Sequence, residues 1–217
     1  MYNLLIKELK LGVNPFFYAL PFLTGALMLI PGWLYFLVIL YFCFITIPNM
    51  FAGYKTQNDL IFSSMMPVTK KDIVKAKIGV IVILELLHIV IAMLYGILTL
   101  KLYPHMKYFF FAPTLGFWGL CFVMLAIFNI IFISIYYKTA YKYGAAAFVS
   151  ITATMLFAGG AEWLSIQNSY FYDLFKGSGT DNVAVHLSIL IAGIVIFAIF
   201  TMIAYYIANK RFEKVEI

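Results

Sequence analysis

The sequence predicts an all-α integral membrane protein with six transmembrane helices and both termini in the cytoplasm. Of its 217 residues, 65% are hydrophobic and only 11% are charged, whereas soluble domains carry about 25% charged residues. The mean hydropathy is +0.98, and several apolar runs reach the roughly 20 residues that one membrane-spanning helix needs. No polar stretch is long enough to bury a core of its own, so residues 1–217 are predicted to form a single domain.

The formal net charge of +6 comes from short basic flanks beside apolar runs. Lysines in such places face anionic lipid headgroups. We therefore expect membrane lipid, and not nucleic acid, to be the partner of this charge.

The N-terminal part of the chain predicts a short interfacial helix followed by a membrane hairpin. Over residues 1–13, leucines and charged side chains take opposite sides of a helix, as in helices that lie in the membrane interface. The apolar run from residue 16 to 51 is too long for one span, and Pro31-Gly32 marks the turn that divides it. The first two spans are therefore predicted at about residues 15–30 and 33–50.

Four further apolar runs complete the six predicted spans. They cover about residues 78–100, 109–136, 144–157 and onward, and 185–208. Lysine and arginine concentrate in cytoplasmic loops. With the N-terminus inside, twelve of the fifteen basic residues fall on the inner side, and only Lys101, Lys107 and Lys176 fall outside. This asymmetry predicts that both termini are cytoplasmic.

The segment between the fifth and sixth spans is neither a clean span nor a plain loop. It reads AGGAEWLSIQNSYFYDLFKGSGTDN over residues 158–182. Small residues come first, aromatic residues follow, and the segment ends in a glycine-serine turn signal. We expect this segment to form a broken or re-entrant end of the fifth helix, followed by a tight outer loop.

The longest polar interruption, from Lys55 to Lys77, predicts two cytoplasmic helices. Asn58 and Asp59 are favourable N-caps for the first helix, and Pro67 ends it. Its apolar residues are Leu60, Ile61, Phe62, Met65 and Met66. Exposed apolar side chains of this kind indicate burial against something, either the groove of a protein partner or the membrane surface.

The second of these helices has a clear predicted start. Thr69 and Asp72 have the spacing of a capping box. No helix breaker follows before Gly79. We therefore expect this helix to continue into the third span and to join the cytoplasmic loop mechanically to the membrane bundle.

At this point the sequence resembles the type-2 ABC (ATP-binding cassette) transporter permeases, the membrane subunits of exporters. The resemblance lies in the loop after the second span, NDLIFSSMMPVTKKDIVKAK. The matching residues are Asn58, Asp59, Pro67, Val68, Lys71, Asp72, Ile73, Val74, Ala76 and Lys77. The six spans, the interfacial N-terminal helix and the broken outer segment also agree with the family's architecture. Small, aromatic-rich chains of this length are similar to the membrane subunits of peptide exporters in Gram-positive bacteria, including the staphylococcal exporter of phenol-soluble modulins.

The resemblance implies that the helix from Asn58 to Met66 is a coupling helix that docks into a partner ATPase. It implies two ATPase subunits, identical or a heteropair, which would carry ATP and Mg, and a second permease, identical or related. The chain itself has no GxxxxGK[ST] motif and is expected to need no cofactor. The implied setting is a bacterial plasma membrane, and the implied cargo is an amphipathic peptide or a lipid-like compound.

Four polar residues at membrane depth are candidates for the translocation pathway: Glu85, His88, Asn129 and Glu162. Ionisable residues inside a membrane are costly and often functional. Glu85 and His88 lie one turn apart and are predicted either to pair with each other or to line a path. Structural alternatives are also open: Glu85 reaching the interface, Asn129 linking two helices, and Glu162 stabilising the outer boundary.

Two other classes of function compete with transport. An intramembrane enzyme would use Glu85 and His88 as an acid–base pair, but no protease or esterase motif accompanies them. A membrane channel or scaffold is harder to exclude by sequence. The three histidines have no metal-ligand spacing, so no metal site is expected.

Overall fold

The computed structural model describes residues 2–106, 108–139, 142–175 and 182–215. Every regular element within these residues is helical. In chain order the helices are α1 (Tyr2–Gly12), α2 (Phe16–Leu29), α3 (Phe36–Thr56), α4 (Asp59–Ser64), α5 (Lys70–Leu102), α6 (Leu115–Thr139), α7 (Tyr143–Gln167), α8 (Ser169–Phe175) and α9 (Val183–Phe212).

Five of these helices, α3, α5, α6, α7 and α9, are long and apolar enough to cross a membrane. Helices α1 and α2 meet at an angle of 70° and make a sixth span if they are counted together. On its own, α2 has ten α-helical residues and four in a tighter 3-10 turn, which is short for a span. The all-α membrane class is therefore confirmed, and the predicted count of six is met only with this bent pair.

The turn predicted at Pro31-Gly32 is confirmed. Helix α2 ends at Leu29 and α3 begins at Phe36. Gly32 has a φ of 75°, a left-handed conformation that glycine adopts without steric strain.

Helix α3 continues past a proline because its middle is wound more widely. Residues Phe42–Thr46 form a π-helical turn immediately before the segment that contains Pro48. Since proline has no N–H to donate, a widened turn lets the helix continue through it.

Helices α6 and α9 cross at very short distance through two glycines. A Cβ on Gly193 would overlap the backbone of Gly119, and a Cβ on Gly119 would overlap the backbone of Ile189. Small residues of this kind let helix backbones approach closely in membranes. Helices α6 and α9 are therefore packed backbone to backbone at this crossing.

Aromatic side chains fill the core between α3 and α6. The ring of Phe51 lies 4.9 Å from that of Phe132 and 4.5 Å from that of Tyr136, centroid to centroid. Both contacts are edge-to-face, a favoured arrangement of aromatic pairs. This packing fixes the end of α3 from which the loop to α4 leaves.

The fifth span is broken within the segment that the sequence indicated. Helix α7 is continuous from Tyr143 to Gln167 and passes through Gly159 and Gly160, so the small residues at the start of that segment remain helical. The chain breaks at Asn168, and the short helix α8 follows. Inside a membrane the backbone N–H and C=O groups find no water to bond, which favours helical hydrogen bonds even across the two glycines. The predicted glycine-serine outer turn, residues 176–181, lies outside the described residues.

Candidate functional site

Helix α4 stands between the second and third of the predicted spans, as a six-residue helix, Asp59–Ser64. Asn58 precedes it in the left-handed conformation, with a φ of 49°, and its side chain makes no capping hydrogen bond. The prediction that Asn58 caps the helix through its side chain is therefore wrong. Asparagine tolerates the left-handed region well, so its role here is to turn the chain abruptly after α3.

The two faces of α4 differ in exposure. Ile61, Phe62 and Met65 are 41%, 58% and 79% exposed, and Pro67 beyond them is exposed. Leu60 and Ser63 are buried against the bundle. The exposed apolar face of α4 is therefore narrower than the face that the sequence predicted to dock, because Leu60 faces the core and Met66 is half-buried.

Four charged side chains form a cluster beneath α4, and we call it the charged cluster: Lys7, Glu8, Asp59 and Lys77. The Nζ atom of Lys77 lies 2.5 Å from Oδ2 of Asp59 and 3.6 Å from Oε2 of Glu8. The Nζ atom of Lys7 lies 2.5 Å from Oδ1 of Asp59 and 3.0 Å from Oε1 of Glu8. Two cations and two carboxylates alternate, so the charge of the cluster sums to zero.

The cluster is buried. Lys77 and Glu8 are 2% and 1% exposed. The Lys77 ammonium also lies 3.4 Å from the centroid of the Tyr54 ring, within the range of a cation–π interaction. A buried charge is stable only when it is paired and hydrogen-bonded, and here each charge has a partner from another helix or from a neighbouring residue.

Asp59 is the centre of the cluster rather than a helix cap. It accepts hydrogen bonds from Lys7 of α1 and from Lys77 of α5. Burial alone would raise the pKa of Asp59, but the charge of Lys77 and the hydrogen bonds from Lys7 and Lys77 outweigh it and hold the pKa below its ordinary value. The carboxylate of α4 is thereby fixed, in its ionised form, to both neighbouring helices.

Sequence reasoning missed this cluster because its members are far apart in the chain. The bond between Lys7 and Asp59 spans 52 positions and that between Asp59 and Lys77 spans 18. The only local signal is that an acidic residue, Glu8, interrupts the N-terminal leucines. An acidic residue at this position is equally typical of the polar side of an interfacial helix, so it does not by itself indicate a buried ion pair.

The capping box at the start of α5 is confirmed. Thr69 Oγ1 accepts a hydrogen bond from the backbone N–H of Asp72 at 3.2 Å, and Asp72 Oδ2 accepts one from the backbone N–H of Thr69 at 3.3 Å. Hydrogen bonds from Thr69 also lower the pKa of Asp72. From this cap α5 continues without a break for 33 residues to Leu102, as the sequence predicted. Its length is about 50 Å.

The end of α9 meets the start of α5. Lys71 lies 3.4 Å from the carboxylate of Glu213, and both side chains are exposed. Lys70 donates a hydrogen bond of 2.7 Å to the backbone carbonyl of Val215. Exposed pairs of this type contribute about 0–1 kcal/mol, so they position the chain end rather than anchor it.

Glu85 and Asn129 lie together at the centre of the bundle. Both are 0% exposed. Asn129 Nδ2 donates to Glu85 Oε2 at 2.9 Å and lies 3.3 Å from Thr201 Oγ1. These contacts link α5, α6 and α9, which fits the role of an interhelical link that the sequence allowed for Asn129.

His88 contacts other helices, so the predicted pair of Glu85 with His88 is not formed. Its Nε2 atom lies 3.2 Å from Thr24 Oγ1 of α2 and 2.9 Å from the backbone carbonyl of Val38 of α3. Glu85 and His88 thus take their hydrogen-bond partners from different helices.

Glu162 lies on a different helix, near the end of α7. It is 6% exposed, and its backbone carbonyl accepts a hydrogen bond of 3.0 Å from Ser165 Oγ. Its neighbour Trp163 is 61% exposed. Within the described ranges, no three His, Cys, Asp or Glu side chains are placed to hold a metal ion.

Comparison with known proteins identifies a family that matches most of the chain. Residues 3–213 match a family model described as ABC-2 family transporter protein. No curated protein and no solved structure matches the chain. The match covers all nine helices almost to their ends.

Proposed function

The chain belongs to the ABC-2 family of transporter proteins, and we propose that it is the transmembrane subunit of an ABC exporter, forming the translocation pathway and coupling to a separate ATPase subunit. In this proposal α4 is the coupling helix. The ATPase, in two copies or as a heteropair, carries ATP and Mg. A second permease, identical or related, completes the pathway across a bacterial plasma membrane, with both termini of this chain in the cytoplasm.

The observation that carries the proposal is the arrangement of α4. An exposed apolar face on one side is combined with a buried ionic attachment on the other. Phe62 and Met65 point away from the bundle, while Asp59 is bonded to α1 and α5. A partner that buries the apolar face would therefore pull on a helix that is fixed to the membrane domain at its base.

Transmission would follow from the continuity of α5. ATP binding would close the two ATPase subunits on each other and move the docked helix α4 with them. Asp59 transfers that displacement to Lys77, which lies on the same unbroken helix as Glu85. A tilt of α5 would then alternate the bundle between inward- and outward-open states.

The cargo in this proposal is an amphipathic peptide or a lipid-like compound, as for the phenol-soluble modulin exporter that the sequence resembles. Support comes from the aromatic-rich composition, with 22 Phe and 16 Tyr. Glu85, His88, Asn129 and Glu162 remain candidates to line the path, and each is buried. Transport is favoured over the enzyme alternative by the family match and because Glu85 and His88 hydrogen-bond to different helices.

The test is the recovery of a Walker-motif ATPase with the tagged full-length chain. Phe62→Asp and Met65→Asp each place a carboxylate on the face that the ATPase is proposed to bury, and an unpaired buried charge is strongly unfavourable. We expect both variants to reach the membrane in normal amount and to lose the ATPase on purification.

Thr56→Asp is the matched control, since Thr56 is exposed at the end of α3 and, unlike Gln57, does not line the pocket that contains Phe62 and Asp59. It adds the same charge to the same loop and is expected to keep the ATPase. Recovery of the ATPase with Met65→Asp at the level of the unmodified chain would show that α4 is not the docking element.

A further inference from the structure

A cavity of about 670 Å³ lies where α1 and α2 meet, against the second half of α3. Volumes of about 300–1,000 Å³ are typical of sites for small molecules. One wall is the bend formed by residues 10–17, and the other is a face of α3 and the residue after it: Ile45, Asn49, Met50, Gly53 and Gln57. A Cβ on Gly53 would meet no neighbouring atom within 4 Å, so α3 leaves room for a ligand there.

The cavity extends from the membrane surface into the bilayer. Helix α3 is a spanning helix that ends at Thr56, and the cavity follows it from Gln57 back to Ile45. Between positions 45 and 57 a helix rises by about 18 Å, and the hydrocarbon core is about 30 Å thick. Since α1 meets α2 at 70°, α1 can lie along the surface while α2 enters the bilayer. A cavity of this depth faces both the headgroups and the acyl chains of one leaflet.

The two ends of the cavity differ in polarity. Lys10, Asn14 and Gln57 line its surface end and are exposed, whereas Phe17 and Met50 are buried deeper in the bundle. Oδ1 of Asn14 accepts a hydrogen bond of 2.9 Å from the backbone N–H at the start of α2, which leaves the amide N–H groups of Asn14 as donors. An ammonium group and amide N–H groups together suit a ligand rich in acceptors, such as a phosphate.

The charge of the cavity is positive. Lys10 is the one charged residue among those that the structure describes at its walls. Glu8 is close in the chain, but its carboxylate oxygens lie 3.0 Å from Lys7 and 3.6 Å from Lys77 in the charged cluster. Lys10 takes part in none of the ion pairs found in the described part of the chain. The described residues therefore do not balance its charge.

Charge complementarity separates a lipid from a second copy of this chain as the occupant. Among the described carboxylates at this end of the bundle, two belong to the charged cluster, Asp72 is bonded in the capping box, and Glu213 pairs with a lysine of α5. A second copy that covered the cavity with these residues would bury Lys10 without a counterion, which is strongly unfavourable. An anionic phospholipid brings a phosphate to the level of Lys10 and acyl chains to the apolar end.

We infer that this cavity is a binding site for one anionic phospholipid. Lys10 and Asn14 bind its phosphate, and its acyl chains pack against Phe17, Ile45 and Met50. In the proposed topology the lipid belongs to the cytoplasmic leaflet and holds the bend between α1 and α2 against α3. The inference does not depend on the ATPase, so its test and that of the proposed coupling can fail separately.

Two lysines allow a controlled test. Lys10→Gln removes the charge from the cavity and keeps a polar side chain. Lys75→Gln is the matched control, because Lys75 is an exposed lysine of α5 that does not line the cavity. Each full-length chain is titrated in detergent with phosphatidylglycerol, which is anionic, or with phosphatidylcholine, which has no net charge. Native mass spectrometry then counts the lipids bound to the monomer and to the dimer.

The expected result is a preference for phosphatidylglycerol that depends on Lys10. In the unmodified chain and in Lys75→Gln, we expect one bound phosphatidylglycerol with an affinity roughly fivefold above that of phosphatidylcholine, the factor that one lysine contributes beside an anionic lipid. In Lys10→Gln the two lipids should bind equally.

A second pair of variants tests the space itself. Gly53→Leu places a side chain in the cavity and should weaken the binding of both lipids. Gly144→Leu is its control, because a Cβ at Gly144 also meets no neighbouring atom within 4 Å and Gly144 does not line the cavity. This control should bind both lipids as the unmodified chain does.

Four outcomes would overturn the inference. Equal affinity of the unmodified chain for the two lipids would mean general lipid binding only. An unchanged preference in Lys10→Gln would place the anionic lipid elsewhere. Phosphatidylglycerol that binds the monomer but is absent from the dimer would mean that the second copy covers the cavity. Soluble glycerophosphoglycerol that binds as tightly as the whole lipid would mean that the ligand is a free phosphodiester. If Gly53→Leu does not accumulate in membranes, the two lysine variants, which change only exposed side chains, decide the question.

Discussion

Removal of Lys77 tests whether the charged cluster fixes α4 to the bundle. Lys77→Met keeps the length of the side chain and removes its charge. The two carboxylates of Glu8 and Asp59 then share a single cation, Lys7, in a site where Glu8 is 1% exposed. Breaking a buried ion pair by removing one partner costs about 3–5 kcal/mol, because it leaves an uncompensated buried charge.

The second substitution restores the balance of charge. In Asp59→Asn with Lys77→Met, one cation and one carboxylate remain, Lys7 and Glu8, whose charged atoms are 3.0 Å apart. Neutralising both members of a buried pair is often nearly neutral for stability. We therefore expect the double variant to be more stable than Lys77→Met alone, with a coupling energy of about 2–3 kcal/mol between positions 59 and 77.

The assay is the free energy of unfolding of the purified full-length chain in bicelles, measured by steric trapping for the four members of the cycle. Lys75→Met is the control, because Lys75 is an exposed lysine on the same helix. Its expected effect is below about 0.5 kcal/mol. A coupling energy below about 0.5 kcal/mol, or equal losses for Lys75→Met and Lys77→Met, would refute the assignment of the cluster as a buried attachment.

Four further outcomes are expected. Thr69→Ala removes the capping bond to the start of α5 and should lower the free energy of unfolding by about 1 kcal/mol. Gly193→Ala forces α6 and α9 apart and should lower the free energy of unfolding by about 1–3 kcal/mol. The control is Gly144→Ala, because a Cβ at Gly144 meets no neighbouring atom within 4 Å. This control should not change the free energy of unfolding measurably. The pKa of Asp59 in the folded chain is below its ordinary value of 3.8. Its contribution to the free energy of unfolding is therefore complete above pH 3.8 and is lost as the pH falls through the pKa of the folded chain. An acid titration of the free energy of unfolding should show this loss in the unmodified chain and not in Asp59→Asn. Glu85→Gln keeps an oxygen that can accept a hydrogen bond from Asn129, so we expect a normal amount of protein in the membrane. We also expect the export of an amphipathic peptide from cells to be impaired. Equal export by the variant and the unmodified chain would mean that Glu85 only links helices.

Local sequence patterns were sufficient to predict those structural features that depend only on residues close together in the chain. The capping box of Thr69 and Asp72 involves residues three positions apart, and the turn at Gly32 depends on the conformational freedom of one residue. The continuity of α5 follows from the lack of a breaker after the cap. Each of these predictions is confirmed.

The same rules failed where a residue has two competing roles. Asp59 at the start of a short helix satisfies the pattern of an N-cap. Two lysines from α1 and α5 bind it instead, and a charge-assisted hydrogen bond is about twice as strong as a neutral one. Since the lysines come from positions 52 and 18 residues away, no local pattern could have decided between the two roles.

The candidate pathway residues show a related limit. Helical spacing correctly places Glu85 and His88 on neighbouring positions of one helix, which is all that spacing can do. It does not determine which helix lies against each position. The partners of Glu85 and His88 are Asn129 and Val38, and these contacts depend on the arrangement of the whole bundle.

The polar contacts of α5 constrain how this helix can move. Lys77 joins it to α1 and α4, Glu85 joins it to α6, and His88 joins it to α2 and α3. The helix contains no proline over residues 70–102 and runs unbroken through Gly79 and Gly96, so it has no proline kink. In the proposed mechanism, a displacement of α4 would reach α5 first at Lys77 and would then be carried along the helix to Glu85 and His88. Thr99 adds a buried hydrogen bond of 2.6 Å from α5 to the carbonyl of Met28 in α2. In the proposed mechanism, a tilt of α5 would either move α2, α3 and α6 with it or exchange the bonds at Glu85, His88 and Thr99, and that choice is where an inward-open and an outward-open bundle would differ.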